Sequence, residues 1–156
     1  MKKVNVFLTI VLILMLAFVG YFMVGGTLRA EAHVASAPAM EHLDACSSIL
    51  SIVNSGATPQ QFQPLPSTPE GCTLVDATIT LSNTGMFDAE WIDISVEPAE
   101  GDICVYSLTG ETSSLAARSA GQVNLKLLTA APAGTTRTVR LSYYVFGMLR
   151  EIEVEA

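Results

Sequence analysis

The chain has 156 residues, half of them hydrophobic, and a formal net charge of −7. That length holds one ordinary domain plus a short extra element. Lys2, Lys3 and Arg29 lie at the N-terminal end, so the remainder carries five basic residues against fifteen acidic ones, a net of −10; nucleic acid is excluded as a partner, because phosphate binding needs clustered Lys and Arg.

The apolar excess is concentrated at the start. Val4 to Val24, VNVFLTIVLILMLAFVGYFMV, contains no charged side chain and reads as a single transmembrane helix, since ~20 apolar residues cross a ~30 Å hydrocarbon core with every backbone group bonded internally. A cleavable signal peptide is the rival, with Ala35-Ser36-Ala37 as a cleavage-like site, but its apolar region is typically only ~7–15 residues. Lys2 and Lys3 before the span place the N-terminus inside and the rest outside. The expectation is a signal-anchored, single-pass cell-membrane protein with an extracytoplasmic C-terminal domain: 1–26 tip and span, 27–56 stalk and amphipathic helix, 57–71 Pro-rich linker, 72–156 β-domain.

Between Pro38 and Asn54, Met40, Leu43, Cys46, Ile49, Leu50 and Val53 recur at three- and four-residue steps, followed by Gly56; this predicts a short amphipathic helix. ATPQQFQPLPSTPEG, residues 57–71, holds four prolines and reads as an extended linker. Period-two alternation follows: Ala77, Ile79 and Leu81; Ile92, Ile94 and Val96; Ile103 to Leu108; a short piece near Ser114 to Ala117; Val123, Leu125 and Leu127; then Val139, Leu141, Tyr143 and Val145 turning through Phe146-Gly147-Met148 into Ile152 and Val154. About seven short strands with frequent turn signals predict an all-β, two-sheet antiparallel sandwich. Asn83-Thr84-Gly85 is read as a turn, with Asn and Gly tolerating positive φ.

Three stretches, ATITLSNTGMFDAEWIDISV, LAARSAGQVNLKL and AGTTRTVRLSYYVFGMLREIEVE, together resemble the immunoglobulin-like modules of the cell-adhesion-related domain found in bacteria and their archaeal relatives in S-layer-type surface proteins. The resemblance covers roughly residues 73–156. It implies an immunoglobulin-like β-sandwich and a surface-exposed spacer, adhesin or binding role, and it does not extend to the cysteines.

Cys46, Cys72 and Cys104 are odd in number, so at least one is unpaired in a monomer. Cys46 with Cys72 is the favoured disulfide, since it would staple the helical segment to the first strand. His33 and His42 precede the β-domain, which argues against a Ser-His-Asp site there. Glu41, His42, Asp44 and Cys46 are the densest group of metal-ligand types, but on a helix only His42 and Cys46 share a face, too few for zinc. Glu97 and Glu100, or Asp88 and Glu90, sit at strand ends without a calcium-loop pattern. No catalytic, metal or cofactor residue is assigned. Trp91, Tyr144 and Phe146 are the candidate surface-binding residues: Trp91 is out of phase with Ile92, Ile94 and Val96, facing outward or returned inward by a bulge, and Tyr143 and Tyr144 point to opposite faces. The function expected is non-enzymatic: display of the sandwich for binding a cell-envelope protein or for structural support. The alternative is a pilin-like filament subunit or filament-associated stator; the prepilin-like Gly26–Glu31 stretch, however, follows the apolar helix where such a motif should precede it.

Overall fold

A computed structural model describes residues 2–24, 28–110 and 113–156. Helix α1 spans Lys2–Val24. Among the described residues no helix is long and apolar enough to cross a membrane. The expected transmembrane helix, signal anchor, membrane partner and single-pass localisation are corrected on that ground. Phe7, Leu12, Leu16 and Phe18 in α1 are exposed, while Tyr21 Oη donates to Met86 Sδ at 3.0 Å, at the turn between two later strands.

The stretch expected to be a stalk instead builds strand β1 (Leu28–Pro38), which pairs antiparallel with β3 (Thr73–Asn83) along its whole length. Leu28 is buried, and Ala30 and Ala32 pack partly against the core; the side chains that alternate inward are mostly alanines, so the strand carries little hydrophobic signal. A single 3-10 turn, Ala39–Glu41, leads into α2 (Leu43–Asn54). Only part of the expected stripe is used: Ile49 is buried and Cys46 and Val53 pack beside it, whereas Met40, Leu43 and Leu50 are exposed. Gly56, at φ +72, takes the left-handed conformation that closes a helix.

Residues 57–71 lie along the sheet rather than free of it. Gln60–Gln61 forms the two-residue strand β2 against β5 (Asp102–Gly110), and the Phe62 and Gln63 amides both donate to the Ile103 carbonyl. The remaining strands are β4 (Ala89–Glu97), β6 (Ser114–Leu115), β7 (Ala120–Thr129), β8 (Thr138–Val145) and β9 (Met148–Glu155). Among the described residues there are therefore nine strands rather than about seven, in a five-stranded sheet of order β1-β3-β7-β5-β2 and a four-stranded sheet of order β6-β4-β8-β9.

The two sheets share one core. Val75, Ala77, Ile79 and Leu81 of β3 with Val123, Leu125 and Leu127 of β7 meet Ile92, Ile94, Val96, Val139, Leu141, Tyr143 and Val145 from the other sheet. Each large side chain removed from water contributes ~1.5–3 kcal/mol, and the two-residue period of the strands delivers them to one face. A second, smaller cluster of Ala39, Ile49, Cys72, Ile103, Cys104 and Leu128 lies on the opposite face of the five-stranded sheet, because consecutive residues such as Leu127 and Leu128 point to opposite sides.

Two polar devices fix the corners. Asn83, almost fully buried, donates through Nδ2 to the carbonyls of Phe87 (2.8 Å), Leu115 (3.1 Å) and Ala116 (3.2 Å), and its Oδ1 accepts from the Gly85 amide at 3.0 Å. Neither Asn83 nor Gly85 has a positive φ, so the break after β3 is made by side-chain hydrogen bonding rather than by left-handed backbone. At the other end Arg137 and Asp102 form a buried ion pair: Nε lies 3.0 and 2.9 Å from the two carboxylate oxygens and Nη2 2.6 Å from Oδ1. Arg137 also donates to Thr135 O and Thr129 Oγ1, while Asp102 accepts from the Ala99 amide at 2.8 Å. Burial pushes the Asp102 carboxyl up, but the hydrogen bonds from Arg137, Thr129 and Ala99 and the arginine's charge outweigh it and hold the group below the usual carboxylate range.

Candidate binding surface

The outward face of the four-stranded sheet is ordered in rows, because residues directly opposite across antiparallel strands share a face. The register gives the rows Glu90–Tyr144–Leu149, then Asp93–Ser142–Glu151, then Ser95–Arg140–Glu153, and finally Glu97–Thr138–Glu155. Trp91 is set between the first two by an irregularity in the β4–β8 ladder between Glu90 and Asp93.

That bulge resolves the phase problem at Trp91. Its backbone sits at φ +54 and its amide donates to the Ser113 carbonyl at 2.7 Å, so the extra residue turns outward and the indole is 76 % exposed. Left-handed backbone costs a non-glycine residue ~1–2 kcal/mol, and a bulky side chain held there is an outlier of the kind that concentrates at functional sites. Phe146 has the same backbone, φ +54, followed by Gly147 at +70; two consecutive left-handed residues make the mirror-image two-residue turn that fits the twist of a β-hairpin. Among the described non-glycine residues only Trp91, Arg118 and Phe146 have positive φ, and two of these three are aromatic residues at this end of the sheet.

Trp91, Tyr144 and Leu149 line a shallow groove of about 640 Å³ together with Ile92, Asp93, Ser113, Ser142 and Glu151. Phe146 lies around the corner: its ring meets Phe87 edge to face, centroids 4.2 Å apart, and lines a second recess with Met86, Asp88 and Glu90. Tyr144 is 39 % exposed and Phe146 63 %, whereas Tyr143 is buried, its hydroxyl accepting from the Leu28 amide at 3.2 Å. The structure therefore brings Trp91 and Tyr144 into one groove and sets Phe146 beside it. Leu149, Met86, Asp93 and Glu151 join this surface without having been singled out in the sequence; the hairpin register, counted back from the Phe146-Gly147 turn, would have placed Leu149 opposite Tyr144.

The charge around the groove is one-sided. Glu90, Asp93 and Glu151 border the aromatic end, while the one cation in the four rows, Arg140, is engaged by Glu97 at 2.5 Å and Glu153 at 3.3 Å.

The other candidates lie elsewhere. His33 is on the exposed edge strand β1 and His42 precedes α2, and no group of three His, Cys, Asp or Glu among the described residues could hold a metal ion. Glu97 pairs with Arg140, and Asp88 Oδ1 accepts from the Ala117 amide at 2.8 Å. Cys46, Cys72 and Cys104 are free thiols, clustered beneath α2 on the far side of the sandwich.

No family model matches the chain, and no curated protein matches it. Among solved structures it is similar to a FixG-related protein from Vibrio parahaemolyticus, at 11 % identity and a TM-score of 0.36, over 81 % of this chain and 93 % of that one.

Proposed function

We propose that the protein is a non-enzymatic, immunoglobulin-like display module whose four-stranded sheet binds a partner protein through Trp91, Tyr144 and Leu149. The observation that carries this reading is Trp91: a strained backbone holds the chain's sole tryptophan in water, where a folding role alone would bury it. Aromatic side chains dominate the energetics of protein interfaces. The acidic border selects a partner that offers a Lys or Arg beside an apolar residue, since a cation over an indole or phenol face gains ~0.5–2 kcal/mol and is attracted by the nearby carboxylates. Two antiparallel sheets around one core supply the rigid frame such display needs.

The test is selection of a displayed peptide library on the full chain, followed by titration of the winning peptides with Trp91 fluorescence as the readout. The expected peptides are enriched in Lys or Arg with apolar neighbours and lose binding to Trp91→Ala. Peptides without basic residues, or ones indifferent to that substitution, count against the proposal.

A second reading, the filament subunit, draws support from α1. A helix with Phe7, Leu12, Leu16 and Phe18 exposed calls for apolar cover, and other copies of the same helix would provide it. Sedimentation of the full chain against Leu12→Glu tests this: assembly dispersed by the substitution supports it, and a monomeric wild-type chain rejects it.

A further inference from the structure

Beneath α2 the half-buried Cys46 and the buried Cys72 converge on a single residue. The Ala39 amide donates to the Cys72 carbonyl at 2.9 Å, and the Ala39 carbonyl accepts from the Cys46 thiol at 3.5 Å; Ala39 itself is fully enclosed. Both cysteines also line one small cavity of about 80 Å³, closed by Ile49, Leu65 and Leu128. Cys104 is differently placed. It sits in β5, opposite Leu128 on one side and Gln61 on the other, and lines none of that cavity. Burial raises the Cys72 thiol and proximity to Cys46 raises it further, whereas Cys104 is raised by burial alone.

We propose that Cys46 and Cys72 form a reversible thiol–disulfide pair that fastens α2 to the five-stranded sheet, made by exchange with an external disulfide. Cys46, the more exposed, acts first: its thiolate attacks one sulfur of the external disulfide, forming a mixed disulfide and expelling one thiolate. Cys72, as thiolate, then attacks the Cys46 sulfur, forming the internal bond and expelling the second. Two protein thiols are oxidised, the external disulfide is reduced to two thiols, and the two protons released by the cysteines are taken up by the leaving thiolates.

The bond would act where the fold is thinnest. α2 rests on the sheet through Ile49 with Cys46 and Val53 beside it, and the chain returns to β3 through the proline-rich residues 57–71. Closing the loop between positions 46 and 72 removes freedom from the unfolded chain, so the lock stabilises a segment that packing alone holds lightly. This is independent of the aromatic surface on the opposite sheet.

The full chain is equilibrated with oxidised glutathione, free thiols are alkylated under denaturing conditions, and peptides are mapped by mass spectrometry. The expected result is a linked peptide joining Cys46 to Cys72, alkylated Cys104, reversal by a dithiol reductant, and a thermal midpoint higher by on the order of 10 °C in the oxidised form. Three alkylated cysteines, a persistent glutathione adduct on Cys46, a link through Cys104, or a disulfide-bonded dimer would each overturn the proposal. Cys104→Ser provides the second arm: it must still form the 46–72 link.

Discussion

Replacing Asp102 by Ala should be among the most damaging single changes in the chain, for a reason that can be separated from simple loss of packing. The Arg137 guanidinium is 6 % exposed; without the carboxylate it keeps only two neutral acceptors, Thr135 O and Thr129 Oγ1. An uncompensated buried charge costs about 3–5 kcal/mol, and arginine cannot lose its proton to escape. Arg137→Met strands the charge on Asp102 instead, leaving it Thr129 and the Ala99 amide, but a carboxylate can be protonated. The two variants therefore part company with pH. In the wild type Asp102 titrates below its ordinary range, so its contribution to stability is present above the unfolded value and is lost as pH falls through the folded one. In Arg137→Met the isolated carboxyl is shifted the other way by burial, so the penalty relative to wild type shrinks as the solution is acidified. Asp102→Ala has no carboxyl at that position to protonate, so its penalty stays nearly constant down to the ordinary carboxylate range and shrinks only below it, as the wild type loses the contribution of Asp102. Urea unfolding at pH 7 and pH 4 measures both, and the double variant should lose several kcal/mol less than the sum of the singles. A cost below about 1 kcal/mol for Asp102→Ala, or additivity in the double variant, would refute the argument.

Asn83→Ala should cost about 1–3 kcal/mol by orphaning buried backbone groups, and Asn83→Asp should be no better, because a carboxylate faces the three carbonyls that the amide serves; chemical denaturation checks both. Ile49→Ala should cost about 2 kcal/mol or more yet act locally, read as faster proteolysis within residues 55–71 while amide exchange in β3, β7 and β8 stays slow. Gly110→Ala should destabilise strongly, since a Cβ there collides with the Gln122 carbonyl oxygen on a backbone with φ +124; thermal unfolding is the readout.

The sandwich strands were legible where large apolar residues alternate without interruption. Val139, Leu141, Tyr143 and Val145 all face the core, and the hairpin after them turns where Phe146 and Gly147 stand. β1 was not legible, because alanines alternating with Arg29, Glu31 and His33 carry too little hydrophobic contrast to announce a strand. Its order comes from the eleven-residue ladder with β3, a long-range fact. The Asp102–Arg137 pair was hidden for the same reason: its members are 35 positions apart, and nothing local to either marks it as buried. At Asn83 the turn was visible and its mechanism was not, since Asn signals both left-handed backbone and side-chain capping. Trp91 was visible as a break in phase, and only the bulge decides which way it points. For α1, uninterrupted hydropathy suggested a span that the described residues do not supply.

The central claim is that Trp91 is held against its backbone preference for the sake of binding. Trp91→Gly separates the two terms, because glycine relieves the left-handed backbone while removing the indole. Measured side by side, unfolding free energy should fall by less than about 1 kcal/mol or rise, while affinity for the selected basic peptides should drop at least tenfold. A variant that unfolds readily, or one that binds those peptides as the wild type does, would contradict the account.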